Sequence, residues 1–282
     1  FWLKSFQLKL TSSLAWQGTM RILWVGNSYV YMPQRHGGVP GVLDLLAAAG
    51  GAENVRHVQV VRGGANLPSL AGDFEKCLQQ EALDGEACFD AVILQDQSLT
   101  PAGGVVGPRG LPGEAREQSI LALRRRYAPL LKAGEDRSPD CVILYQTWGR
   151  PAAMNGQPEV VGDFDEMSRR TADGYRAYAE ALTSEGVRNI AVAPCGEAYV
   201  RLGASGDGLL PQLFADDIGH ATPVAALLIA CIFARTIARL PWRRQQKRGR
   251  EPTRASVAAV AVQLDVQAEA VDPICRAAGI DE

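Results

Sequence analysis

Five strand-like runs, separated by segments with helical periodicity, constrain the fold of this chain more than any other feature of its sequence. Four of the runs are short and apolar, and the second is β-branched and mostly alternating, which is typical of strands in a buried sheet. The predicted strands run from Arg21 to Val25, from Asn54 to Arg62, from Ala91 to Leu94, from Cys141 to Tyr145 and from Asn189 to Ala193. Strands that alternate with helices favour an α/β fold with a parallel, doubly wound sheet.

The segments between these strands are predicted to be helices or loops rich in glycine and proline. We expect helices over residues 42–49, 67–81, 114–133, 164–184, 223–239 and 255–278, and a loop over residues 203–217. Right-handed crossovers would place every strand-to-helix loop along one edge of the sheet. Because ligands bind at this edge in open α/β sheets, we looked for functional residues there.

The length of 282 residues and the ordinary composition indicate one domain with extensions at both ends. We expect an N-terminal extension over residues 1–20, the domain over 21–242, and a basic linker with a C-terminal helix over 243–282. Residues 1–18 fit either the remnant of a targeting segment or sequence upstream of a start at Met20. Cytoplasmic and secreted locations therefore both stay open, as does the oligomeric state.

The composition gives no indication of a nucleic-acid, membrane or metal partner. The net charge is −2, no aromatic residues interleave with the basic residues 243–254, and the arginines at 124–126 are expected to form a solvated helix face. No run of about 18 or more apolar residues suggests a membrane span. The six cysteines lack C-x-x-C spacing and only three histidines are present, so we expect neither a disulfide framework nor a metal centre.

A serine follows the first strand in a small, polar, turn-forming tripeptide, and we interpret this residue, Ser28, as a nucleophile. A serine hydroxyl needs an adjacent base to take its proton, and histidine suits that work near neutral pH. His220 is the best candidate because it lies between a flexible loop and a helix. His36, in a glycine-rich loop, is the second choice, and His57 lies within a predicted strand and is expected to be structural.

Two further kinds of group are needed, one to orient the histidine and one to stabilise the negative charge that forms on the substrate. A carboxylate must hold the histidine in the correct tautomer, and Asp217 and Asp216 both lie within reach in sequence. The oxyanion formed during attack needs preorganised N–H donors. The backbone N–H groups of Ser28 and Gly64 and the side-chain amide of Gln97 are the candidates, since each follows one of the first three strands.

These residues resemble the four sequence blocks of the SGNH (GDSL-type) hydrolase superfamily, over residues 21 to 240. In that family a serine after the first strand, a glycine after the second, an asparagine after the third and an Asp-x-x-His before the last helix form the site. The resemblance implies a flavodoxin-like, three-layer α/β/α sandwich of about five strands. It also implies a catalytic set of Ser28, Asp217 and His220 and an oxyanion hole of Ser28, Gly64 and Gln97.

Two departures from the family pattern are similar to those of one branch of it. That branch reads Gly-Asn-Ser in place of Gly-Asp-Ser, and Leu-Gln-x-Gln-Ser in place of the Gly-x-Asn-Asp block; here they are Gly26–Ser28 and Leu94–Ser98. Asn27 should matter little if the role of that position is to hold the turn. Gln97 is one methylene longer than the asparagine of the family, so its role as an oxyanion donor follows least directly from the resemblance.

Resemblance to this family implies hydrolysis of an ester through an acyl-enzyme, without a metal or an organic cofactor. No long hydrophobic lid segment is visible, so we expect a short acyl group, such as acetyl, on a small polar molecule or a glycan. Tyr29 and Trp148 could stack on a sugar ring or simply pack the crevice wall. The alternatives are an acyltransferase with the same triad and a non-catalytic flavodoxin-like module that binds an anion through backbone N–H groups.

Overall fold

Five parallel strands form a single sheet in the part of the chain that the structure describes. The structure is a computed structural model, and it describes residues 20–51, 55–84, 88–107, 110–132, 138–151, 154, 156–215, 219–240 and 251–280. The strands are β1 (Met20–Gly26), β2 (Val55–Val61), β3 (Ala91–Leu94), β4 (Cys141–Tyr145) and β5 (Ile190–Ala193). Their order, β2-β1-β3-β4-β5, is that of flavodoxin-like folds.

Side chains of the central strands alternate between two apolar cores, one on each face of the sheet. In β1, Ile22 and Trp24 face one core, and Leu23 and Val25 face the other. All four side chains are fully buried, as the continuous apolar run of this strand predicts. The sheet must therefore be covered on both faces, and the helices between the strands do this.

The long helices divide between the two faces of the sheet. Helices α2 (Gly38–Ala49), α9 (Cys195–Ser205), α10 (Pro223–Arg239), α11 (Arg254–Gln263) and α12 (Val271–Ala278) pack on the face of Trp24. Helices α3 (Leu67–Leu83) and α8 (Phe164–Ser184), with α5 (Glu114–Ala122), a π turn (Leu123–Tyr127) and α6 (Ala128–Leu131), pack on the face of Leu23. The short helices α1 (Ser28–Tyr31), α4 (Leu99–Ala102) and α7 (Pro158–Val161) follow strands β1, β3 and β4. The predicted three-layer α/β/α sandwich is confirmed.

Polar side chains fix the first turns of the long helices near the functional edge of the sheet. The side-chain oxygens of Asn66, Asp163 and Thr222 accept backbone N–H groups at the starts of α3, α8 and α10. Each oxygen satisfies an N–H group that has no partner within its own helix. The residues just before these helices are thereby held in defined positions.

Helix α9 occupies residues where the sequence analysis recognised no helix, and it extends into the segment that was expected to be a loop. Its buried residues, Cys195, Ala198, Tyr199 and Leu202, recur at helical spacing. Gly196 obscured this pattern by lowering the helix propensity of the first turn. A 3-10 turn, Leu210–Leu213, follows in the same expected loop.

The C-terminal segment forms two helices, α11 and α12, where one helix was expected over residues 255–278. Asp265 has a φ of 58°, in the left-handed region, and the chain turns there. Both helices belong to the core on the Trp24 face, with Val257, Val260 and Ile274 fully buried. The described part of the C-terminal segment thus packs on the sheet domain. Of the expected linker, residues 243–250 lie outside the described residues.

The arginines at 124–126 are exposed on the π turn, as the solvated-face interpretation expects. None of the helices in the described ranges combines the length and the apolar character that crossing a membrane requires.

Replacing Ile274 by alanine should lower the free energy of unfolding by about 2–5 kcal/mol, because it removes a fully buried side chain from the core on the Trp24 face of the sheet. Val262, on α11, is 80 % exposed and provides the matched control: its replacement by alanine should change the free energy by no more than about 0.5 kcal/mol. Urea unfolding followed by tryptophan fluorescence measures both. Small and equal effects would mean that α12 contributes little to the core.

Candidate active site

Ser28 lies at the carboxyl end of the sheet, as the first residue of α1. Asn27 links it to Gly26, the last residue of β1, and this last position is a glycine because the side chain of Gln95 lies close to it. A Cβ on Gly26 would lie 2.5 Å from the Gln95 side-chain oxygen. The short connection holds Ser28, which is half-buried, directly above the end of β1.

Asn27 ties this turn to two neighbouring loops through its backbone and its side chain. Its N–H donates to Gln95 Oε1 at 2.7 Å, and its Oδ1 accepts the N–H of Tyr29 at 3.1 Å. Its Nδ2 donates to the carbonyl oxygen of Ala65 at 2.9 Å. An aspartate could accept from Tyr29 but could not donate to Ala65. The amide therefore does more than hold the turn, and this second role was missed from sequence.

His220 lies against Ser28, although the two residues are 192 positions apart. The distance from His220 Nε2 to Ser28 Oγ is 2.7 Å, which is within hydrogen-bond range. The imidazole is only 9 % exposed, and its ring meets Tyr29 edge to face at a centroid distance of 5.6 Å. Its backbone oxygen accepts the N–H of Ala215 at 2.7 Å. With Nε2 facing the serine, Nδ1 faces away from it.

The other two histidines are not in contact with Ser28 among the described contacts. His57 Nδ1 accepts the indole N–H of Trp24 at 2.9 Å, and its Nε2 lies 2.8 Å from Asp44 Oδ1, which is the structural role expected of it. His36 lies in the loop before α2. Asp217 and Asp216, the candidates to orient His220, lie outside the described residues.

The three expected oxyanion donors have N–H groups without partners in the part of the chain that the structure describes. Gln97 Oε1 accepts the N–H groups of Leu99 at 2.8 Å and Thr100 at 3.2 Å, so its oxygen is used and its amide nitrogen is left to donate. Within the same described residues, the backbone N–H groups of Ser28 and Gly64 donate to no acceptor. Gly64 is exposed, and a Cβ there would meet nothing within 4 Å.

Asp96 joins the loops that hold Gly64 and Gln97. Its Oδ1 accepts the N–H groups of Leu67 at 3.0 Å and Gln97 at 2.8 Å, and its Oδ2 accepts the hydroxyl of Tyr178 at 2.8 Å. The carboxyl group is fully buried, and burial raises its pKa more than these hydrogen bonds lower it. Sequence reasoning missed this residue; its position between Gln95 and Gln97, directly after a buried strand, was the available signal.

Tyr29 and Trp148 lie in a stack of aromatic rings beside the site. Trp148 is sandwiched between Tyr29 and Tyr199, at centroid distances of 4.7 and 4.5 Å and nearly parallel. Its indole N–H donates to the carbonyl oxygen of Gly219 at 3.1 Å. Trp148 is fully buried and Tyr29 is 3 % exposed, so both rings pack the wall of the crevice. This matches the packing alternative of the sequence analysis rather than stacking on a sugar.

A cleft with a volume of about 740 Å³ lies between α8 and α9, away from these residues. Phe164, Val200 and Leu210 supply its apolar lining, and Arg169 and Glu197 lie at it. Within the described ranges, no three or more His, Cys, Asp and Glu side chains form a group that could hold a metal ion.

The sequence matches no family model and no curated protein. Comparison with solved structures is informative. A candidate SGNH hydrolase from Slackia heliotrinireducens is 25% identical, with a TM-score of 0.51 over 78% of this chain and 99% of that protein. LAE5, an alpha/beta hydrolase enzyme from the metagenome of Lake Arreo, Spain, is 15% identical, with a TM-score of 0.53 over 77% of this chain and 94% of its own. A catalytic mutant of Axe2, an acetylxylan esterase from Geobacillus stearothermophilus, is 16% identical, with a TM-score of 0.52 over 78% and 95%.

The sheet order and these similarities show that the chain has the fold of the SGNH hydrolase superfamily, as the sequence blocks predict. The first of these similarities also supports the predicted enzyme class of the chain, an esterase-type hydrolase. Its assignment to the branch with Gly-Asn-Ser stays a prediction. Residue roles and substrate are taken up below as proposals.

Asp96 should make the stability of the protein depend on pH in a direction set by its raised pKa. A carboxyl group whose pKa is higher in the folded than in the unfolded state stabilises the fold below its unfolded pKa and loses that contribution as the pH rises through its folded pKa. As the pH rises from about 4, the free energy of unfolding of the wild type should therefore fall, compared with that of Asp96→Asn. Urea unfolding of both proteins between about pH 4 and pH 8 measures the difference.

The Asp96→Ala variant is the control for the hydrogen bonds. It leaves the N–H groups of Leu67 and Gln97 without an acceptor at every pH, so it should lose about 1–3 kcal/mol throughout. Parallel stability curves for the wild type and Asp96→Asn would contradict the raised pKa.

Proposed function

We propose that this protein is a serine ester hydrolase that works through an acyl-enzyme. The single observation that carries the proposal is the 2.7 Å distance between Ser28 Oγ and His220 Nε2. A hydroxyl and an imidazole at this distance are arranged for general-base activation of a nucleophile. A module that only binds anions through its backbone needs no such pair.

In the proposed reaction, His220 Nε2 takes the proton of Ser28 as its Oγ attacks the carbonyl carbon of the ester. Collapse of the tetrahedral intermediate breaks the bond to the alcohol oxygen, which receives the proton from His220. Water then attacks the acyl-enzyme as His220 takes its proton. Collapse of the second tetrahedral intermediate breaks the bond to Ser28 Oγ, which receives that proton, and the carboxylic acid leaves. Asp217 is proposed to hold Nδ1 of His220 and to stabilise the imidazolium, since that nitrogen faces away from Ser28.

The oxyanion is proposed to be held by the N–H groups of Ser28 and Gly64 and by the amide nitrogen of Gln97. The support is that all three have no other acceptor among the described residues, and that Gln97 Oε1 is fixed by the first turn of α4. A donor that is fixed before the reaction needs no reorganisation during it. The extra methylene of Gln97 is compatible with this role because its oxygen is anchored.

For the substrate, we propose a short acyl group, such as acetyl, on a small polar or carbohydrate-like molecule. Support comes from the similarity in fold to Axe2, an acetylxylan esterase, and from the half-buried position of Ser28. An acyltransferase with the same residues differs only in its acceptor. Transfer of acetyl to added glycerol in preference to water would indicate that reaction.

The proposal predicts that a fluorophosphonate probe labels the wild type and that Ser28→Ala abolishes the labelling. His220→Ala should lower turnover of p-nitrophenyl acetate by about 10³-fold or more, because the serine loses its base. Both variants should keep the circular dichroism spectrum of the wild type. A well-folded wild type that neither reacts with the probe nor turns over the ester would contradict the proposal and favour the binding module.

The neighbouring aspartates provide a matched control for the third member of the triad. Asp217→Ala should lower turnover by about 10³-fold or more, whereas Asp216→Ala should leave most of it. The reverse order would assign the orienting role to Asp216.

Replacing Gln97 by glutamate should separate the two ends of its side chain. The substitution keeps an oxygen for the N–H groups of Leu99 and Thr100 but removes the amide donor and adds a negative charge. We expect kcat for p-nitrophenyl acetate to fall by about 10²–10³-fold with little change in KM, the usual effect of losing one oxyanion donor. A change confined to KM would show that Gln97 only binds substrate.

A further inference from the structure

A buried arginine, Arg150, lies beside the proposed catalytic pair. It follows β4, and the residue is only 6 % exposed. The carbon of its guanidinium lies 6.0 Å from the centroid of the Tyr29 ring, and a Cβ on Gly219 would lie 3.4 Å from Arg150 Cγ. Tyr29 follows Ser28, and Gly219 precedes His220. The arginine therefore contacts the chain neighbours of both reacting residues.

Within the described residues, the guanidinium of Arg150 has little to balance its charge. Its Nη2 donates to the hydroxyl of Ser98, a neutral acceptor, and its Nε is buried without a hydrogen-bond partner. Among the described residues, Nη1 also has no acceptor, and no carboxylate forms an ion pair with Arg150. A guanidinium that is removed from water without an anion is unfavourable, because both its charge and its N–H groups lose their solvation.

The guanidinium and the imidazole of the proposed catalytic pair lie near the same aromatic ring. The centroid of the His220 imidazole and the carbon of the guanidinium both lie within 6.0 Å of the centroid of the Tyr29 ring. Both groups therefore adjoin Tyr29, the residue that follows Ser28. The ligand that suits the guanidinium of Arg150 is an anionic group with two oxygens in one plane.

We propose that Arg150 recognises a carboxylate on the substrate and thereby selects esters that carry one close to the scissile bond. This inference rests on the proposed ester hydrolysis and adds a substrate class to it. A carboxylate brings one negative charge, which a single arginine balances; a phosphate dianion would leave one charge without a partner. The fork of N–H donors on a guanidinium also matches the two oxygens of a carboxylate.

The test uses matched pairs of esters that differ only in whether the carboxylate is free or methylated. Mono-4-nitrophenyl succinate and its methyl ester place the group on the acyl side. 4-Acetoxybenzoate and its methyl ester place it on the alcohol side. In at least one pair, the wild type should have a kcat/KM about tenfold or more higher for the free carboxylate. Arg150→Gln should abolish this preference, and Arg150→Lys should keep part of it, because the charge remains but the fork is lost.

Arg125→Gln is the control variant, since Arg125 is exposed on the π turn and its loss should leave the preference unchanged. Equal kcat/KM values within both pairs for the wild type would overturn the inference, and this result needs no variant to fold. A preference that persists in Arg150→Gln would overturn it as well. Failure of the proposed function is a separate result: the wild type would then hydrolyse neither member of any pair and would not react with the fluorophosphonate probe.

Discussion

The contact between Ser28 and His220 depends on the burial of a parallel sheet on both of its faces. Parallel strands need crossovers, and crossovers that cover both faces return the chain to the same edge after each strand. This geometry brings a residue after the first strand within 2.7 Å of one that precedes α10. The apolar alternation of β1, with Trp24 on one face and Leu23 on the other, is thus what makes the contact between Ser28 and His220 possible.

Behind the site, buried polar side chains hold the loops to one another. Asn27 joins the serine turn to Ala65 and Gln95, and Asp96 joins the starts of α3 and of the Gln97 loop. A buried polar group is unfavourable unless it is hydrogen-bonded, so each of these bonds is needed once its partners are buried. The benefit is specificity of position: the donors around Ser28 are fixed by bonds that a shifted loop would break.

The sequence was most informative where one local pattern decides the structure. The apolar runs at Ala91–Leu94 and Cys141–Tyr145 and the helices Phe164–Ser184 and Pro223–Arg239 have the predicted bounds, because polar or turn-forming residues flank each of them. The pairing of Ser28 with His220 followed from their places after strands and before a helix, with the family resemblance. The positions of Asp96 and Arg150 after strands are visible in the sequence, but their burial is not. Their burial arises from contacts with residues distant in sequence, and a polar residue after a strand is usually solvated.

The aromatic stack makes the wall of the site rigid without using the N–H donors near Ser28 or the guanidinium of Arg150. Trp148 packs between the rings of Tyr29 and Tyr199. Its indole N–H donates to the carbonyl oxygen of Gly219, and this hydrogen bond fixes the residue before His220. They are packed too closely to provide a platform for a substrate. Recognition must then come from the groups that this wall supports, which are the N–H donors near Ser28 and the cation of Arg150. On the proposal made for Arg150, this wall suits a small, anionic ester better than a long-chain lipid, because only the anion gains from the buried charge.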